Sequence, residues 1–179
     1  MNDLIPTLTT ERLCLRAPLP ADLDALSAIR ADERVGRTVG GTRTRQEVWF
    51  TILRAYGLWH LFGFGYWSVC LRDTGDVVGE VGFADFKRAL EPDISGTPEA
   101  GWIIANAHWG QGFASEAVVR AHAWLDQHHA GRSTCIINPD NVASIKVAKR
   151  VGYHQFCETR LGDSDILMFE RNSPNTENR

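Results

Sequence analysis

The stretch IIANAHWGQGFASEA, residues 103–117, decides the fold. An apolar strand ends near Ile104, a turn with two glycines follows, and a long amphipathic helix begins near Ala114. Such a strand, turn and helix expose backbone N–H groups to an anion at the positive end of the helix. Gly110 and Gly112 lack a Cβ, so a phosphate can approach the backbone closely. The same glycines would also suit a turn that merely requires positive φ, and their spacing leaves both interpretations open.

Two other phosphate-binding motifs do not fit this turn. The G-x-x-x-x-G-K-[ST] motif is absent from the chain, and G-x-G-x-x-G is incomplete because Ser115 occupies its third glycine position. A nucleotide-binding protein that uses the same turn for a different phosphate remains an alternative.

The elements around this stretch form a mixed pattern of strands and helices. Thr44 and Glu47 form a capping box that predicts the start of a helix. Strands are predicted at 13–16, 66–71, 77–86, 99–104, 134–137, 153–159 and 166–171, and helices from residue 20, from residue 44, at 114–129 and at 142–151. An antiparallel meander followed by alternating strands and helices predicts a mixed α+β sheet with helices packed over it.

Length and composition indicate one globular domain. The chain has 179 residues, of which 44% are hydrophobic and 23% charged, as in ordinary globular proteins. We expect one domain over residues 1–179, with a core from about 9 to 171 and a polar tail at 172–179. A net charge of −3 provides no global cationic field for nucleic acid or anionic membranes, so neither is an expected partner.

Cysteine and histidine usage indicates neither disulfides nor a metal site. The four cysteines are dispersed without a C-x-x-C pair, which favours free thiols in a reducing compartment. The segment Met1–Pro6 lacks the basic and apolar regions of a signal peptide, so the expected location is cytoplasmic. His122 and His128 are six residues apart on different helix faces, so we expect no metal.

Three motifs carry a resemblance to a known family. The block WGQGFASEA at 109–117 resembles the pyrophosphate-binding motif [Q/R]-x-x-G-x-[G/A] of the GNAT superfamily of acetyl-CoA-dependent N-acetyltransferases. Gly112 and Ala114 match this motif, whereas Trp109 stands where the family has Gln or Arg. The blocks TERLCLR at 10–16 and NVASIKVAKRVGY at 141–153 are similar to motifs of the ribosomal-protein N-terminal (RimJ/RimL-like) branch. The resemblance implies a GNAT fold: a mixed, mostly antiparallel sheet of about seven strands with helices on both faces.

The resemblance also implies how acetyl-CoA, the cosubstrate, is bound. Backbone groups of Ile104 and of the turn should bind the pantetheine arm and the pyrophosphate; the turn residues are Gln111, Gly112, Phe113, Ala114 and Ser115. Asn141 should hydrogen-bond the pantetheine, although an Asn before a helix is also an ordinary N-cap.

Ser144 is the implied proton donor to the departing thiolate. The tyrosine acid that many superfamily members carry four residues later is replaced by Ala148. The alternative for Ser144 is a mid-helix serine that bonds its own backbone.

Two carboxylates are candidate bases, because acetylation requires a neutral amine. Glu80 and Glu99 lie on strands that are neighbours in this fold, although each could also be a solvent-facing strand carboxylate. Acidic residues are concentrated in this region, at Glu80, Asp85, Glu91, Asp93 and Glu99. We therefore expect a cationic acceptor held near Glu80 and Glu99.

The function implied is transfer of an acetyl group from acetyl-CoA to a primary amine by direct attack. The acceptor could be a ribosomal-protein N-terminus, an aminoglycoside, a polyamine or an amino-acid analogue. A catalytically degenerate CoA-binding regulatory module is the alternative. Monomer and homodimer are both open.

Overall fold

The computed structural model describes residues 4–174. The strands are β1 (Leu8–Thr9), β2 (Leu13–Arg16), β3 (Tyr66–Leu71), β4 (Val77–Ala84), β5 (Glu99–Ile104), β6 (Arg132–Ile137), β7 (His154–Leu161) and β8 (Ser164–Asn172). They form one sheet in the order β1-β2-β3-β4-β5-β6-β8-β7, in which only the pair β5 and β6 is parallel.

Four of the five α-helices in residues 4–174 lie where the capping and periodicity signals predict them, and the sequence did not predict the short second helix. The five helices are α1 (Leu23–Ala31), which follows a 3-10 turn at Pro20–Asp22, α2 (Glu33–Gly36), α3 (Arg45–Phe62), α4 (Phe113–His128) and α5 (Val142–Arg150). Thr44 and Glu47 form the predicted capping box at the start of α3. The mixed, mostly antiparallel fold is confirmed, with eight strands in residues 4–174 rather than about seven. The additional strand β1 has two residues, too few to show an alternating pattern.

Helices pack on both faces of the sheet. On one face α4 and α5 cover the main core, in which the rings of Trp59, Trp67 and Trp124 meet edge to face. On the other face α1 and the first half of α3 form a smaller cluster that contains Leu26, Ile52 and Ile103. The sheet therefore buries apolar residues on both faces, except where a cleft opens on the second face.

The parallel strands β5 and β6 separate along their length. Strand β4 pairs with β5 through six residues, but β5 and β6 share a single register pair, Glu99 with Thr134. Their carboxyl ends, at Ile104 and Ile137, are consequently unpaired with each other. Ligands of open α/β sheets bind at the carboxyl ends of strands beside such a change in topology.

The ordered chain extends beyond the predicted core. Strand β8 continues to Asn172, and Ser173 is buried, with its N–H donating to the carbonyl of Gly131 at 2.9 Å. Side-chain polarity alone predicted a tail here because it does not reveal backbone pairing. The rest of the predicted tail, 175–179, and residues 1–3 of the N-terminal segment lie outside the described residues.

All four cysteines are free thiols. No helix within residues 4–174 has the length and apolar character needed to span a membrane.

Candidate active site

A cleft of about 1290 Å³ is lined by residues 99–103 of β5, by the carboxyl end of β6 and by the segment that links α2 to α3. Four of the predicted site residues line it: Glu80, Glu99, Asn141 and Ser144. Ile104 and the turn at 111–115 are not among the described residues that form its wall. The predicted site is thus divided between a cleft and a separate turn at the start of α4.

The two glycines of the turn have positive φ, as both interpretations of this turn require. Gly110 and Gly112 have φ values of +77° and +82°, and Gly112 directly precedes α4. Side chains of Thr44 and Asn141 cap α3 and α5, but in the described part of the chain no side chain caps α4. Because the first N–H groups of a helix have no partner within it, those of residues 113–115 are available to an anion.

Arg12 supports the turn from the opening motif. Its guanidinium donates to the carbonyl of Gln111 at 3.0 Å and lies 4.5 Å from the ring centroid of Phe113. The same side chain binds the carboxylate of Glu116, which also accepts from the hydroxyl of Thr10 at 2.5 Å. Burial opposes ionisation of Glu116, but these hydrogen bonds outweigh it and lower the pKa of that carboxyl.

Trp109 links the segment before the turn to the end of β5. Its indole N–H donates to the carbonyl of Ile104 at 2.7 Å. The Ile104 carbonyl is therefore engaged within the chain, and its side chain is buried in the main core. The residue that replaces the family's Gln or Arg has a structural role here.

Asn141 is the N-cap of α5, one of the two roles considered for it. Its side-chain oxygen accepts from the N–H of Ser144 at 3.0 Å, and its side-chain nitrogen donates to the carbonyl of Thr38 at 3.3 Å. The Ser144 hydroxyl forms no hydrogen bond within residues 4–174, so the backbone-bonded alternative is not observed. This half-buried hydroxyl lines the cleft. Ala148 is buried in the main core.

Glu80 and Glu99 are buried, contrary to the possibility that they face solvent. Glu80 is 6% exposed and forms an ion pair with Arg30. Glu99 is 4% exposed and accepts hydrogen bonds of 2.9–3.1 Å from Arg88. Burial raises the pKa of Glu99 above its usual range, and Arg88 offsets this only in part.

The two carboxylates share a sheet face but do not lie side by side. Glu80 is opposite Ile103, whereas Glu99 is opposite Ala84. This register separates them by four residues, roughly 14 Å along the strands. The expectation that they converge on one cation is therefore corrected. With an arginine on each carboxylate, neither has a free negative charge to hold a cationic acceptor.

Tyr66 lies between the two carboxylates and was missed in the sequence. It is opposite Gly82, which is opposite Gly101, and a Cβ on Gly101 would be 2.2 Å from the Tyr66 hydroxyl. The phenol thus reaches Gly101, where there is no room for a side chain, and its hydroxyl forms no hydrogen bond with any described residue. Glycine inside a strand is the signal that could have revealed this close approach.

The electrostatic environment of Tyr66 keeps its hydroxyl protonated. Burial raises the pKa of the phenol, and the charges of Glu80 and Glu99 raise it further. The positive charges of Arg30 and Arg54 act on the phenol in the opposite direction but do not cancel the rise. Tyr66 therefore supplies a neutral hydroxyl to the cleft.

Comparisons with known proteins agree with this architecture. Residues 12–154 match the profile of the acetyltransferase (GNAT) domain. The uncharacterized protein YkkB of Bacillus subtilis (strain 168) is 32% identical over 118 residues, which span 64% of this chain and 64% of YkkB, less than two thirds of either. A GnaT-family acetyltransferase of Bordetella pertussis has 28% identity and a TM-score of 0.81, over 92% of this chain and 98% of its own.

One solved structure with this fold contains coenzyme A, the product that acetyl-CoA leaves after acetyl transfer. RimL, a ribosomal L7/L12 alpha-N-protein acetyltransferase in complex with coenzyme A, has a TM-score of 0.75 over 93% of this chain and 97% of its own. At 18% identity this likeness concerns the fold alone. The domain profile covers most of the chain, and the chain belongs to the GNAT acetyltransferase family.

Proposed function

We propose that this N-acetyltransferase moves the acetyl group of acetyl-CoA to a primary amine by direct attack, as a single domain that spans the chain. The observation that carries the proposal is the opening between β5 and β6. The cleft beside this opening holds Ser144, Tyr66 and Glu99, and β5 leads through the turn at 111–115 into the start of α4, which no described side chain caps. Family membership and the coenzyme A complex of the RimL fold relative support the cosubstrate.

The turn and the start of α5 suit the two ends of the cosubstrate. N–H groups at residues 112–115 would bind the pyrophosphate, because helix N-termini favour anions and the glycines admit them closely. The side-chain amide of Asn141 has two N–H donors and two oxygen lone pairs, and its two bonds within the chain use one of each. The remaining donor or lone pair would hydrogen-bond the pantetheine. The Ile104 carbonyl is engaged by Trp109, so the contribution of Ile104 would come from its N–H.

Proton transfer is assigned to two groups in the cleft. As the amine nitrogen bonds to the acetyl carbon, the carbon–sulfur bond breaks, the amine loses a proton and the thiolate gains one. Ser144, whose hydroxyl has no hydrogen-bond partner between residues 4 and 174, would supply the proton to sulfur. Glu99 is favoured over Glu80 as the base, because a carboxylate with a raised pKa accepts a proton more readily near neutral pH.

The pH dependence of kcat/KM with a turned-over amine separates the two carboxylates. We expect Glu99→Gln to lower kcat/KM and remove the acidic limb of the profile, and Glu80→Gln to keep that limb. If both variants keep the wild-type profile, neither carboxylate is the base.

Titration calorimetry and a thiol-release assay test the proposed function together. We expect acetyl-CoA to bind, ATP and NAD not to bind, and an amine panel to release free CoA thiol. Binding of acetyl-CoA without thiol release from any amine would favour the degenerate regulatory module. Binding of ATP or NAD in place of acetyl-CoA would favour a nucleotide-binding protein.

A further inference from the structure

Two arginines stack on one aromatic ring at the edge of the cleft. The guanidinium carbons of Arg54 and Arg88 lie 5.3 Å and 4.4 Å from the ring centroid of Phe86. Arg88 is neutralised by its ion pair with Glu99. Arg54 forms neither an ion pair nor a hydrogen bond within the described part of the chain. Phe86 therefore positions Arg54 at the cleft, where its positive charge and N–H donors are available to a ligand.

The charge of the cleft differs from that of the whole chain. Its lining includes five arginines and four glutamates, although the chain has a net charge of −3. Glu80 and Glu99 are paired with Arg30 and Arg88, and Glu47 accepts hydrogen bonds from the N–H and hydroxyl of Thr44. Arg37 and Arg43, which also line the cleft, form no ion pair with any residue from 4 to 174. Glu33 and Glu47 are the other two lining glutamates, so the lining carries a formal charge of +1, against −3 for the whole chain.

We propose that the acceptor is an amine that also bears a carboxylate, and that Arg54 binds this carboxylate. The inference rests on the proposed function and specifies its substrate class. The planar guanidinium matches a carboxylate with two parallel hydrogen bonds. The ring of Phe86 reduces the freedom that Arg54 would lose on binding, which favours affinity. Polyamines and aminoglycosides, which carry several positive charges, do not complement this cleft.

Product binding tests the proposal without any turnover. The products would be N-acetyl amino acids, which have no titratable amine, so an acid and its amide differ only at the carboxylate. Affinities of N-acetyl-phenylalanine, N-acetyl-methionine and N-acetyl-glycine and of their amides are measured by calorimetry on the enzyme saturated with CoA. We expect at least one acid to bind about tenfold more tightly than its amide, since a charge-assisted pair has roughly this effect.

The variant Arg54→Gln tests whether Arg54 causes the preference for the acid over its amide. We expect this variant to lose the preference for the acid while the affinity for CoA stays within about twofold. Arg150→Gln is the control, because Arg150 is an exposed arginine of α5 outside the cleft. It should keep the preference. A preference that survives in Arg54→Gln overturns the assignment to Arg54.

The wild-type enzyme alone can overturn the proposal. Equal binding of every acid and its amide would show that no carboxylate is recognised, even if thiol release from neutral amines establishes the acetyltransferase. Tighter binding of N-acetyl-phosphoethanolamine, which has a phosphate and no carboxylate, than of every N-acetyl amino acid would overturn the carboxylate in favour of a phosphate. Failure of CoA itself to bind would contradict the proposed function, and the calorimetry reports that separately.

Discussion

Arg12 and Glu116, 104 positions apart in the chain, join the motif at 10–16 to the motif at 109–117. The N–H of Arg12 donates to one carboxylate oxygen of Glu116 at 3.0 Å, and its guanidinium contacts the other at 2.5 Å and 2.7 Å. Because Arg12 also binds the Gln111 carbonyl, the segment that leads into β2 fixes the turn that precedes α4. The two motifs therefore form one structural unit.

Removal of Arg12 should weaken cosubstrate binding more than it destabilises the fold. Its side chain is 44% exposed, so we expect Arg12→Ala to lower the free energy of unfolding by only about 1 kcal/mol. Loss of its contacts frees the turn, and we expect the Kd for acetyl-CoA to rise roughly tenfold. Arg72→Ala is a matched control, because Arg72 donates to the carbonyls of Thr10 and Glu11 without contacting the turn. Equal Kd values for the two variants in calorimetry would contradict the role given to Arg12.

A side chain at Gly112 should strain the turn through its backbone conformation. A Cβ there would lie 3.6 Å from the Arg12 guanidinium, which is an ordinary contact, but φ is +82°. We expect Gly112→Ala to cost about 1–2 kcal/mol of stability and to weaken acetyl-CoA binding. Gly75→Ala, at φ +80° in the turn between β3 and β4, should cost the same stability. A normal Kd in Gly75→Ala and a raised Kd in Gly112→Ala would separate binding from strain, whereas unchanged binding in both would contradict the phosphate role.

Local signals predicted most of the fold. The capping box at Thr44 and Glu47 and the glycines before α4 each act over a few residues, and the structure has both. Asn141 was also interpretable as a cap, because the donor it binds is three residues away.

Charge pairing between distant residues was not predictable in the same way. Glu80 and Arg30 are 50 positions apart, and only the packing of α1 against β4 brings them together. The acidic strands therefore suggested a site for cations, although arginines from other elements neutralise them. The approach of Tyr66 to Gly101 depends likewise on the register of three strands.

Ser144 should affect the chemical step and not cosubstrate binding. General acids contribute about 10²–10⁴-fold, and a thiolate needs only modest assistance at neutral pH because thiols titrate near 8.5. We expect Ser144→Ala to lower kcat at least about tenfold, with an unchanged Kd for acetyl-CoA. Ser144→Thr retains a hydroxyl and should keep more activity than the alanine variant. Full activity in Ser144→Ala would assign the proton to water or to another residue.

His122 should make the protein less stable in acid. Burial lowers its pKa to about 4, and it contacts the Val118 carbonyl and the Tyr153 hydroxyl. The positive charge of Arg171 also lowers the pKa of His122, whereas the negative charge of Asp126 raises it. The unfolded chain binds a proton near pH 6.5 and the folded chain only near pH 4. Stability should therefore fall by about 3 kcal/mol as the pH falls through this range.

Urea unfolding at several pH values between 4 and 7 measures the contribution of His122. We expect His122→Gln to have a shallower loss of stability in acid than the wild type. His60→Gln, which changes an exposed histidine of α3, should follow the wild-type slope. Parallel slopes for wild type and His122→Gln would assign the acid sensitivity to other groups.

Tyr66 should position the amine through a hydroxyl that stays neutral. We expect Tyr66→Phe to lower kcat about tenfold without changing the Kd for acetyl-CoA, because a lost hydrogen bond in the transition state has roughly this effect. Gly101→Ala should lower kcat as well, since its Cβ would displace the hydroxyl. Tyr56→Phe is the control, because the Tyr56 hydroxyl donates to the carbonyl of Pro18 outside the cleft.

The pH profile distinguishes positioning by Tyr66 from proton transfer. Because burial raises the pKa of its phenol, Tyr66 does not titrate in the range where the enzyme is assayed. The profile of kcat for Tyr66→Phe should therefore be lower but have the wild-type shape. Loss of either limb in this variant would make Tyr66 a proton-transfer group. A wild-type kcat in both Tyr66→Phe and Gly101→Ala would leave the hydroxyl without a part in the reaction.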